Sequence, residues 1–261
     1  MRCPRSLFVV ASLAFAAPPL AGQDPWAKVP AFPTTCYDDG SYGTRLSNLR
    51  HELTTEADAQ NSINSEIRQK SIDMDPMVKQ QKMMAFLQKN PAEAGPMMQG
   101  IAMAGQKSAQ DVERLSSRTK AMDEQLKAAE DQYKTEFAPL NEIHKKYNAN
   151  MPEHGNPGNP ALVRQYGEQY NAGYERLCAK WLTTPSSPLL KYLSDYKTFL
   201  TEEKVAAGLE RAQWEKKEFD LYGVPSANFK PTAAHSAVGD YLDAMHKVFA
   251  RRPTGPLTGR P

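Results

Sequence analysis

Thiols, thioethers and imidazoles are the groups in this sequence whose chemistry reaches beyond packing, and their spacing decides how far it reaches. The five histidines are His51, His144, His154, His235 and His246. None sits in a His-Glu-x-x-His pattern or another close ligand pair, and His51-Glu52 lacks the second imidazole a helical zinc site needs. Glu142, His144, Glu153 and His154 flank one Pro/Gly-rich loop, but no spacing among them sets a coordination geometry, so they read as solvated helix-end and loop residues. There is no glycine-rich phosphate loop after a strand, no Gly-x-Ser-x-Gly turn, and no carboxylate pair isolated in apolar surroundings. The residues therefore assign no catalytic, cofactor-binding or metal position.

Cysteine says more. Cys3 lies in Met1-Arg2-Cys3-Pro4-Arg5, ahead of an apolar run from Ser6 to Ala17 that Pro18-Pro19-Leu20-Ala21-Gly22 ends. A basic start, a short apolar run and a small-residue region form the order of a secretory signal peptide, and the run is shorter than the roughly 20 residues of a membrane span. Cleavage is expected after Gly22, and Cys3 stands before the apolar run, where it is not placed for lipidation. The two remaining cysteines, Cys36 and Cys178, are an even number in an exported chain and are expected to form a disulfide. Across a separation of 142 residues, the chain-entropy argument allows such a bridge up to about 5 kcal/mol.

The chain has 32 Lys and Arg against 30 Asp and Glu, and residues 1–22 carry two of the arginines and no acid. The mature chain is then neutral, with charges interspersed and a local basic excess only at Arg251, Arg252 and Arg260. This gives no electrostatic footprint for nucleic acid or for an anionic membrane surface. With 40% hydrophobic residues and a mean hydropathy of −0.62, a multi-span membrane protein is excluded as well.

Methionine is the least ordinary feature. Met74, Met77, Met83, Met84, Met97, Met98 and Met103 fall within thirty positions. Three readings compete: core filler, a plastic surface for apolar partners, and a thioether site for Cu(I). Dense Met-x-Met or Met-x-x-Met repeats are lacking beyond Met74/Met77, and no histidine lies close by. Tyr166, Tyr170 and Tyr174 share a helix face, which suits packing between helices or stacking on a ligand, with packing favoured.

The elements that would position these groups read as all-α. Valine (10) and isoleucine (5) are scarce, no alternating strand pattern appears, and helix formers dominate. Residues 23–43 form an irregular lead-in that Trp26, Phe32 and Cys36 would pin. Leu46, Leu49, Leu53, Ala57, Ile63 and Ile67 make an apolar stripe on a helix over 44–73. Asp75-Pro76 starts a helix that stops at Asn90-Pro91, and Pro91 to Pro96 is expected to break the chain. Val112, Leu115, Thr119, Met122, Leu126, Ala129 and Tyr133, then Phe137, Leu140 and Tyr147, form a short heptad seam over 108–149. Its expected partner is the 44–73 helix, in a long hairpin or short coiled coil spanning 44–150 with a Met-rich broken segment at 74–105. After a loop at 151–160, a C-terminal helical bundle covers 161–250, and 251–261 is expected to be a disordered tail.

A signal peptide followed by helical hairpins is similar in layout, though not in residues, to exported helical chaperones of the bacterial envelope. The expected function is an exported scaffold or interaction protein, chaperone-like, working in the periplasm or outside the cell. Its partner is a protein or a second copy, engaged through apolar helix faces. The contact residues are expected to be Met83, Met84, Phe86, Leu87, Met97, Met98 and Ile101. The alternative is an envelope enzyme or a copper carrier.

Overall fold

A computed structural model describes residues 24–153 and 157–258; the side chains of 93, 94, 97, 98, 101, 102 and 104 are outside the described set. The expected signal peptide over 1–22 lies outside it too. Among the described residues every regular element is helical and no strand forms. A 3-10 turn at Pro25–Lys28 precedes α1 (Ser41–Ile72), α2 (Pro76–Lys89), α3 (Pro91–Ala149), α4 (Pro160–Cys178), α5 (Pro188–Phe199), α6 (Ala206–Tyr222) and α7 (Ala233–Phe249). A π-helical turn at Ala179–Thr183 extends α4, and another at Leu200–Val205 joins α5 to α6.

The helix starts follow the capping chemistry of the sequence. The Asp75 carboxylate accepts from Met77 N at 2.7 Å, Asn159 Oδ1 from Leu162 N at 3.2 Å, and Ser187 Oγ from Leu190 N at 3.3 Å. Each cap is followed by a proline in the first turn, where its missing N–H would be unpaired in any case. Gly158 closes the α3–α4 loop at φ 66°, where a Cβ would come within 2.6 Å of the Asn150 carbonyl; no other residue fits there.

Two expectations about the long helices are corrected. The break at 91–96 does not form: α3 is continuous for 59 residues, about 90 Å at 1.5 Å per residue. Pro91 sits in its first turn and Pro96 only a turn further on, so the second proline removes one hydrogen bond near the helix end. The 44–73 and 108–149 helices are also not each other's main partners. α1 packs principally on α7, and α3 on α4, its neighbour across the 150s loop.

The reason lies in what each stripe meets. Leu46, Leu53 and Ala57 of α1 are buried as their spacing requires, but Ile63 is 40% exposed and Asn64 is buried in its place. Asn64 Nδ2 donates to the Lys230 carbonyl at 2.7 Å, and its Oδ1 accepts from Lys230 N at 3.2 Å. Gln60 Nε2 donates to the Asn228 carbonyl at 2.9 Å. These bonds tie α1 to the chain leading into α7. On α3, Met122, Leu126, Ala129, Tyr133, Leu140 and Tyr147 are buried, as the seam predicts. One core cluster combines side chains of α1, α3, α4, α5 and α7, so the N-terminal and C-terminal helices share a single interior. A smaller cluster of Ile67, Phe219, Val224 and Phe229 closes the far end of α1 against α6, with Met74 packed on it.

The disulfide joins Cys36 to Cys178 with a Cα–Cα distance of 5.6 Å. Around it Tyr174 Oη donates to the Cys36 carbonyl at 2.8 Å, and the Tyr37 and Tyr174 rings lie 5.4 Å apart. Tyr170 and Tyr174 are buried and stacked, which is the packing role expected of the tyrosine ladder.

The expected disordered tail is a third correction. Arg252 is buried beneath the rings of Phe32 and Phe249, and its Nη2 donates to the carbonyls of Pro33 and Leu182, both at 2.9 Å. The chain stays against the protein as far as Thr258. Composition reads Pro/Gly-rich stretches as loose because they lack an apolar period. Here main-chain hydrogen bonds and one buried arginine hold the segment instead.

Candidate interaction surface

α2 divides by exposure with helical spacing. Lys79, Lys82, Met83, Phe86, Leu87 and Asn90 are half-buried, while Met77, Val78, Gln81 and Met84 are exposed. The first set recurs at three and four residues and makes the face laid against α6 and α3. Met77 and Met84 are seven residues apart and share the opposite face, 69% and 50% exposed. No residue of α2 is buried. Polar and aromatic contacts hold it: Lys82 Nζ donates to the Tyr222 carbonyl at 2.7 Å, and Lys79 Nζ lies 5.5 Å from the Tyr222 ring centre.

The start of α3 is anchored similarly. The Trp214 indole lies over Gly100, where a Cβ would fall 2.2 Å from the ring, so glycine here is a packing requirement. Lys107 pairs with Glu210 at 2.6 Å. Between α3, α6 and the first turn of α7 lies a cavity of about 280 Å³ lined by Val112, Leu115, Ala207, Gly208, Trp214 and Ala233. Met103, 66% exposed, and Ile72, 66% exposed, add apolar surface at the two ends of this arm.

The expected contact residues thus separate. Met84 faces solvent, whereas Met83, Phe86 and Leu87 lie on the protein side of α2. The side chains of Met97, Met98 and Ile101 lie outside the described residues. Met77, on the same face as Met84, and Met103, on α3, are further exposed apolar residues. Their exposure was not readable from sequence, because which face of a weakly amphipathic helix turns inward depends on what it meets.

The electrostatics elsewhere are structural. Lys180 and Trp181 both donate to the Glu136 carboxylate, at 2.6 and 2.9 Å, and these bonds hold it below the usual carboxylate range. Glu203, in the π turn, pairs with Arg114 and Arg118 of α3, and the adjacent Lys204 pairs with Asp240 of α7. The turn thereby ties three helices together. Glu130 of α3 is paired with Arg251. Among the described residues no three His, Cys, Asp or Glu side chains gather as a metal site would require. The His144 ring lies 5.4 Å from that of Tyr170, tilted by 43°. Among the described residues, no helix is long and apolar enough to cross a membrane. Comparison of the chain with protein-family models, curated proteins and solved structures finds no match.

Proposed function

We propose that this is an exported helical interaction protein, a chaperone-like scaffold that takes apolar partners on the outer face of its Met-rich arm. The observation that carries the reading is α2 itself, a fourteen-residue helix with no fully buried residue that turns Met77 and Met84 to solvent. Isolated helices of this length are marginal in water, and the two methionines stand exposed among Gln80, Gln81 and Gln88, apolar side chains that a partner could cover. Methionine suits that use, since its unbranched thioether repacks against different apolar shapes. Export is supported by the signal-like order of residues 1–22 and by a disulfide between the two cysteines that follow.

The test replaces Met77, Met84 and Met103 with Gln, which keeps length and helix propensity and removes the apolar sulfur. The expected result is an unchanged melting temperature and a lost capacity to suppress aggregation of a thermally unfolded substrate protein. Suppression equal to that of the unaltered chain would refute the surface. A variant that no longer folds would make these residues core filler and refute it equally.

A further inference from the structure

The tail reads as an extended ligand. From Pro253 to Thr258 exposure alternates, with Pro253, Gly255 and Leu257 half-buried and Thr254, Pro256 and Thr258 exposed. Bends at Thr254 and Gly255 turn the chain ahead of Pro256, and Pro256 to Thr258 then runs across the surface without a turn or bend. Asn171 of α4 contacts Leu257 twice: its Oδ1 accepts from Leu257 N at 2.8 Å, and its Nδ2 donates to the Leu257 carbonyl at 2.9 Å. One side-chain amide therefore serves both main-chain groups of one residue, as a neighbouring strand would. Tyr147 Oη donates to the Thr258 carbonyl at 2.6 Å. Gly167 lies beneath both groups, where a Cβ would stand 3.4 Å from the Leu257 carbonyl and 3.4 Å from the Tyr147 ring, an ordinary contact distance. The Leu257 side chain packs on the main core.

Three features suit this surface to holding an extended chain. The hydrogen bonds from α3 and α4 all go to main-chain groups, so they do not distinguish this tail from another extended chain. Pro256 fixes φ near −65° and prepays part of the ordering. Asparagine is a weak helix former, and Asn171 stands in the middle of α4, where its amide forms both bonds to Leu257. The segment beyond Pro253 is held by few contacts, so it belongs to the least stable part of the molecule and is open to exchange.

We infer that the α3–α4 surface around Tyr147, Gly167 and Asn171 binds an extended Pro-Leu segment of a partner protein, and that the chain's own tail covers it in cis. A tethered tail competes at a high effective concentration, so the full chain holds the site closed and a partner opens it by displacement. This inference is independent of the Met-rich arm.

The experiment uses fluorescence anisotropy with two labelled peptides: residues 253–261 of the chain, and a Gly-Pro-Leu-Thr core in unrelated flanks. The receptor is a chain ending at Pro253, which keeps Arg252 and the bond from Asp38 N to the Pro253 carbonyl. Both peptides are expected to bind it with affinities within tenfold of each other, and at least tenfold more weakly to the full chain. Asn171→Ala in the shortened chain, or Leu257→Asp in the peptide, is expected to weaken binding at least tenfold. If the shortened chain does not fold, Leu257→Asp in the full chain frees the site instead and must bind the unaltered peptides. Absence of binding to either folded receptor, equal binding by the full chain, or no effect of Asn171→Ala would each overturn the inference. So would a dimer of the full chain that disappears on shortening, since the occupant would then be a second copy.

Discussion

Burial of phenols is the most consequential single-residue feature. Tyr133 and Tyr196 are pushed up to about 12 by burial, and Tyr42, Tyr174 and Tyr192 are pushed up as well, with the same first cause. The fold therefore favours the neutral phenol, relative to an ordinary value of 10.0. A raised folded pKa contributes stability that is complete below the unfolded value and is lost as pH rises through the folded one. Helix content should hold at pH 9 and fall between about pH 10 and 12, with phenolate absorbance rising together with the loss of circular dichroism. Phenolates that titrate near pH 10 while the helices persist would contradict the packing of these rings.

At the scale of elements, the point where the first turns of α6 and α7 cross depends on one missing side chain. A Cβ on Gly208 would lie 2.4 Å from the Ala233 Cβ, a stub with no freedom to swing aside. Gly208→Ala gains up to about 1 kcal/mol of helix propensity, but overpacking the contact between the two first turns costs roughly 1–3 kcal/mol. The variant should be less stable in urea unfolding. Gly105→Ala is its partner experiment, because a Cβ there meets nothing within 4 Å and only the propensity gain remains. It should raise stability by up to about 1 kcal/mol. Equal changes at both positions would show that the crossing does not constrain Gly208.

For the whole molecule, the disulfide is where the lead-in, α4 and the tail meet. Cys36 is bonded to Cys178, its carbonyl accepts from Tyr174, and two residues on Asp38 N donates to the Pro253 carbonyl. At the other end of the lead-in, Lys28 pairs with Glu52 and Glu56 of α1, and those bonds raise its pKa. Replacing both cysteines with serine should cost up to about 5 kcal/mol, read as a lower urea midpoint, and should speed amide exchange at Asp38. An unchanged midpoint would mean that the lead-in is held without its covalent tie.

By itself the sequence determined the helical class, the helix start at Asp75-Pro76, the stripe on α1, the seam on α3 and the pairing of Cys36 with Cys178. These rest on residues close together in the chain, or on the parity of two thiols, and local propensity and hydrogen bonding decide them. Tertiary structure alone decided that α1 lies on α7 and α3 on α4, that α3 runs through Pro96, and that the tail is docked. Those outcomes depend on partners that composition does not encode. Asn64 is satisfied by a main-chain group 166 residues away and Asn171 by one 86 residues away, and a carbonyl or amide of the backbone is the same whatever residue carries it. The candidate surface was legible as a cluster of methionines. Its outward face was not, because the choice between Met83 and Met84 is made by α6 and α3, against which the helix comes to rest.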